Sequence, residues 1–150
     1  DAVVRDISRA ARAARPRCVV SAAVIRDISR GRKVFFQDSP TWLRSGWIDD
    51  VLPMNYETSH ARFEELARKD MALAGRGNLI LGLGAHIMDG GADLRKQVGI
   101  ARALKSSGYS LFAYSSFFAT TSHASTKGQV AERNREALRG ELIQLNRRRR

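Results

Sequence analysis

With 150 residues, 43% of them hydrophobic, the chain can bury a core of ordinary single-domain size, which excludes a disordered or fibrous polymer. Its apolar runs stay far below the roughly 20 residues that cross a bilayer, so no membrane-spanning segment is expected. The formal charge of +11 raises the question of a polyanion-binding surface, because clustered Lys and Arg attract anionic partners.

The opening residues Asp1-Ala2-Val3-Val4-Arg5-Asp6 lack the basic and then apolar pattern of a signal peptide. Val3, Val4, Ile7, Ala10, Ala11 and Ala14 recur at helical spacing, with Arg5, Arg9, Arg12 and Arg15 on the opposite side, and Pro16 closes the segment. Residues 18–25 form an apolar run rich in Val and Ile, the pattern of a strand buried in a parallel sheet, with the single Cys18 as a small core residue. Ser39 can cap a short helix with Pro40 at its first position and Gly46 near its end. Residues 48–56 read as a second strand whose tail, Pro53-Met54-Asn55-Tyr56, is too polar to be plain core.

Phe63, Leu66, Ala67, Met71 and Ala74 make the stripe of a helix started by Thr58 or Ser59 and stopped at Gly75-Arg76-Gly77. A third strand over 78–86 follows directly. Leu94, Val98, Ala101 and Leu104 give the next stripe, Gly108 ends it, and 109–115 is a fourth strand. Val130, Ala131, Ala137, Leu138, Leu142 and Leu145 support a closing helix, so that residues 1–146 form one unit and 147–150 a basic tail. The predicted strands start near residues 18, 48, 78 and 109. That is the allotment of about 31 residues per unit of an eight-unit barrel of about 250 residues. The spacing points to an α/β fold of the (β/α)8 TIM-barrel type, of which this chain supplies four β/α units, half a barrel. A small doubly wound open sheet is the alternative, although the place of its Gly-rich phosphate turn is taken by Arg26-Asp27-Ile28-Ser29.

In a parallel barrel the chemistry lies at the C-terminal ends of the strands. Those ends carry Arg26 and Asp27, then Asn55, Tyr56 and Glu57, then His86 and Asp89, then Tyr114 and Ser115. Carboxylates with an amide and tyrosines suit the holding of sugar hydroxyls and the protonation of a glycosidic oxygen, which makes Asp27 and Glu57 the acid/base candidates. His60, His86 and His123 fall on separate segments without metal-ligand spacing, so neither a metal nor an organic cofactor is expected. Gly82 and Gly84 sit within a strand, where glycine more often allows close packing than it cradles phosphate. The arginines of the first helix and of the tail have no aromatic residues among them, which favours a solvated basic face over nucleic-acid binding.

Gln37-Asp38-Ser39-Pro40-Thr41-Trp42-Leu43, then Gly46-Trp47-Ile48-Asp49, then Leu52-Pro53-Met54-Asn55-Tyr56 carry a resemblance. The segment resembles the glycosyl hydrolase-like 10 family of bacterial (β/α)8-barrel glycosidases, and the likeness extends over residues 1 to about 120. Residues 18–25 look like the fifth barrel strand, Leu81-Gly82-Leu83-Gly84 like the seventh, and Phe112-Ala113-Tyr114-Ser115 like the eighth. The resemblance implies hydrolysis of O-glycosidic bonds in a bacterial polysaccharide, peptidoglycan-derived glycan among them, in the extracellular space or periplasm. It implies glycan contacts at Asn55 and Tyr56, Trp42 as support for the Asn55 turn, and Tyr114 as a pocket wall; His86 joins the substrate-binding set from its strand-end position. It places the leading catalytic acids on a fourth strand upstream of Asp1, so self-association or pairing with a missing N-terminal half-barrel is expected. Two alternatives stand beside this reading: a non-catalytic carbohydrate-binding fragment and a basic polyanion-binding module.

Overall fold

The computed structural model describes residues 1–74, 78–118 and 132–147. Among these residues six helices and four strands follow one another as α1 (Ala2–Ala14), β1 (Ser21–Ile25), α2 (Ile28–Phe35), α3 (Ser39–Arg44), β2 (Asp50–Met54), α4 (His60–Ala74), β3 (Asn78–Gly84), α5 (Gly91–Ala103), β4 (Gly108–Phe112) and α6 (Glu132–Arg147). All neighbouring strands pair in parallel, and the order across the sheet is β1-β2-β3-β4. That order lacks the reversal at which a doubly wound sheet changes direction.

The sheet has two unlike faces. The pairings put Val24, Val51, Leu81 and Leu83 on one face, where all are buried and join the core with Phe63, Ala67, Leu94 and Val98 from the helices. Ser21, Ala23, Ser110 and Phe112 lie on the other face and are exposed. Strand residues alternate between faces, so the helices cover one side and leave the second open.

The helices follow local chemistry with three departures from expectation. On α1 the inward side is Val4, Ser8, Ala11 and Arg12, while Val3 and Ile7 stay 69% and 59% exposed. The cause is an ionic clamp: Arg12 donates to both Asp49 carboxylate oxygens at 2.9 and 3.0 Å, and Asp49 also accepts the Val20 amide at 2.7 Å. This pair fixes the roll of the helix against its apolar stripe. The cap of α3 is Asp38, which accepts from the Thr41 amide, rather than Ser39, which is buried. Helix α2, eight residues long and amphipathic with Ile28 and Gly31 buried, is not among the expected elements. Its Gly31 is needed because a Cβ there would come within 2.8 Å of Ile25 Cγ2.

Strand boundaries shift as well. β1 begins at Ser21, so half-buried Cys18 lies in the turn before it, and Val19 is 70% exposed. β3 ends at Gly84 and β4 at Phe112, each followed by a 3-10 turn, Ala85–Ile87 and Tyr114–Ser116. The expected stop at Gly75-Arg76-Gly77, together with His123, Val130, Ala131 and the last three arginines, lies outside the described residues. No helix among the described residues is long and apolar enough to cross a membrane.

Candidate functional site

The C-terminal ends of β2, β3 and β4 bring three rings together on the open face. Gly84 pairs with Phe112 across the sheet, and a Cβ at Gly84 would stand 3.0 to 3.2 Å from Cβ and the ring of Tyr56, so Tyr56 lies over this glycine. Tyr56 stacks beside Phe112 with ring centroids 5.4 Å apart. His86 meets both rings edge-on, at 5.3 Å from Tyr56 and 5.4 Å from Phe112. Such offset and edge-to-face contacts are the favoured aromatic geometries. Gly82 likewise permits close packing, against the Pro53 carbonyl of the next strand.

Polar groups fix this cluster. His86 Nδ1 lies 3.1 Å from the Phe112 carbonyl, which can only accept, so Nδ1 is the donor and Nε2 is left facing away from this bond. Arg26 donates to the Tyr56 carbonyl at 3.1 Å and to the Glu57 carboxylate at 2.9 Å, linking the ends of β1 and β2. Burial raises the Tyr56 phenol above its ordinary pKa, which keeps it a neutral donor. The carboxylate of Glu57 also accepts the Thr58 amide.

Beneath the rings, buried amides hold the turn. Asn55 is fully buried and its Nδ2 donates 2.9 Å to the Phe63 carbonyl in the first turn of α4. Gln97, 1% exposed on α5, donates 2.7 Å to the Glu57 carbonyl. His60 Nε2 lies 3.2 Å from Asp93, joining α4 to α5. No family model, curated protein or solved structure matches the chain.

The sequence candidates divide. Tyr56, His86 and Glu57 meet around the cluster, and Tyr114 stands just past it, 67% exposed and stacked on Phe118 at 4.7 Å. Asn55 is a correction: in place of a glycan contact it makes a buried brace, because its short side chain turns into the β2–α4 junction. Trp42 is buried in the core, and its indole donates 2.7 Å to the Asp1 carboxylate, which ties α3 to the start of α1. Asp27 has φ 62 and ψ 82 at the start of α2, where its carboxylate accepts from Ser29 Oγ at 2.6 Å and from the Arg30 amide. The Ser29 hydrogen bond holds its pKa below the usual carboxylate value, which suits a cap and not a proton donor.

Sequence reasoning missed Phe112, Gln97 and Asp70. Phe112 had a signal, since it alternates with Leu111 and so falls on the open face. Gln97 had none, for an isolated glutamine on a helix reads as surface. Asp70 of α4 is buried, accepts the Ile28 amide at 2.8 Å, and has its pKa pushed up to about 6, chiefly by desolvation. Among the described residues, no three His, Cys, Asp or Glu side chains come together as a metal-holding group.

Proposed function

We propose that the chain supplies the last four β/α units of a (β/α)8-barrel glycoside hydrolase that cleaves O-glycosidic bonds of a bacterial polysaccharide, peptidoglycan-derived glycan included. The observation that carries this reading is the Tyr56–His86–Phe112 cluster with its Arg26–Glu57 rim. It stands at the C-terminal ends of a sequentially ordered parallel sheet, on the face that a closed barrel would turn inward. The exposed Phe112 ring offers the apolar face on which the C–H side of a sugar ring rests. The Tyr56 hydroxyl, His86 Nε2 and Arg26 offer polar groups to the sugar hydroxyls. Glu57 is the acid/base candidate on this half of the site.

Glycoside hydrolysis needs two carboxylates flanking the scissile bond. Asp27 is committed to capping α2, so the partner of Glu57 would come from the other half of the barrel. The same observation favours a second reading, in which these residues hold carbohydrate without cutting it.

The test is release of reducing ends from peptidoglycan sacculi and from chitooligosaccharides by the complete barrel that carries this half, with binding measured in parallel, for the wild type and Glu57→Gln. Cleavage lost in Glu57→Gln with binding kept supports hydrolysis. Binding without cleavage in the wild type supports the second reading, and no binding to any glycan overturns both.

A further inference from the structure

Two large aromatic side chains beyond β4 are held in a way that core packing does not require. In the turn that follows Phe112, Ser116 and Phe117 are the anchors, 2% and 3% exposed. Ser116 Oγ accepts the Ala113 amide, and the amides of Phe117 and Phe118 both donate to the Tyr114 carbonyl. This single helical turn puts Tyr114 and Phe118, four residues apart, on its outer side with ring centroids at 4.7 Å and an interplanar angle of 29°. They remain 67% and 39% exposed. A lone exposed apolar residue is ordinary, whereas a stacked pair fixed from below by buried neighbours is a built surface.

The position of the pair gives it a use. Tyr114 is separated from Phe112 by the single residue Ala113, so the two Cα atoms lie at most about 7 Å apart. The Tyr56–Phe112 stack, exposed through Phe112, and the Tyr114–Phe118 stack thus stand on neighbouring residues, and each carries one phenol hydroxyl. A sugar chain has the matching repeat of apolar ring faces and polar edges, and its consecutive rings can rest on consecutive aromatic surfaces. A globular protein partner would require a larger continuous apolar patch than two rings.

We infer that Tyr114 and Phe118 form a second sugar platform beside Tyr56 and Phe112, so that the ligand is a linear oligosaccharide engaged over at least two residues and not a single terminal sugar. The inference rests on the carbohydrate reading above and adds chain length as the property selected.

The experiment is calorimetric titration of the full chain with graded chitooligosaccharides and cello-oligosaccharides, from disaccharide to hexasaccharide. Wild-type affinity is expected to rise by about tenfold once the ligand spans both platforms. Tyr114→Ala and Phe118→Leu are expected to remove that rise while leaving disaccharide affinity within about twofold. Should Tyr114→Ala melt early, Tyr114→Leu keeps apolar volume without the ring and carries the same test. A rise that persists in both variants overturns the inference, as does wild-type affinity that is flat with length; in either case carbohydrate binding at the first platform still stands. If no oligosaccharide of either series binds the wild type, this inference and the reading beneath it fail together.

Discussion

The ring of Tyr56 occupies the space that a side chain at Gly84 would fill: a Cβ there would lie 3.0 Å from Tyr56 Cβ and 3.1 Å from its Cγ. These distances are tighter than ordinary van der Waals contact, so the ring must give way to any substituent. Gly84→Ala is expected to shift Tyr56 off Phe112 and to cost about 1 to 3 kcal/mol of stability by overpacking. Tyrosine fluorescence reads the first effect and thermal unfolding the second. A variant with wild-type melting and fluorescence would mean that the Tyr56 ring is not seated on this glycine.

Asn55 is expected to act on stability. Its amide donor meets the Phe63 carbonyl in a site sealed from solvent. Asn55→Ala removes that bond and leaves a small void, at an expected cost of about 1 to 3 kcal/mol, measured by urea unfolding at unchanged m-value. Unaltered stability would return Asn55 to the role of a ligand contact.

Asp70 sets a pH dependence of definite sign. Its folded pKa of about 6 lies above the ordinary aspartate value of 3.8, so the folded state binds the proton more tightly than the unfolded chain. Its contribution is fully present below about pH 4 and is lost as pH rises through about 6, a change on the order of 3 kcal/mol. Asp27 and Asp49, whose folded pKa values are lowered, act oppositely, with stability present above the ordinary carboxylate range and lost as pH falls below it. Between pH 4 and 7 the Asp70 effect prevails. Asp70→Asn is expected to flatten this interval and to be more stable than the wild type near pH 8, as followed by chemical unfolding across pH. A wild-type slope that survives in the variant would assign the effect to another group.

The Arg12–Asp49 clamp holds α1 against its own apolar stripe. Arg12→Ala is expected to free the helix to roll Val3 and Ile7 inward, with a loss of about 1 kcal/mol, since the pair is only part-buried. Faster amide exchange confined to α1 and the 18–20 turn would register it, and unchanged protection there would show that the clamp does not set the roll.

The uncovered sheet face and the Val3–Ile7 side of α1 lead to one more expectation, concentration-dependent self-association at micromolar protein. Sedimentation velocity measures it, and Ile7→Glu should weaken it. A monomer that binds no apolar dye would show that these surfaces do not associate.

The strand and helix alternation was legible in the sequence because each element repeats its own period: Phe63, Leu66, Ala67 and Ala74 are buried along α4, and Leu94, Val98 and Ala101 along α5. The placement of Tyr56, Glu57 and His86 near strand ends was legible for the same reason, since a strand ends where apolar alternation stops. What tertiary structure alone decided is direction. Asn55 and Tyr56 are adjacent in sequence, yet one turns into the α4 junction and the other over Gly84, because neighbouring side chains at a strand end leave on opposite sides. Helix α1 shows an apolar stripe in sequence, but a clamp to Asp49, more than thirty positions away, chose a different inward face. Period is a local property written in consecutive residues, whereas the partner of Arg12, the ring above Gly84 and the amide beneath Asp70 are set by elements that meet only when the sheet assembles.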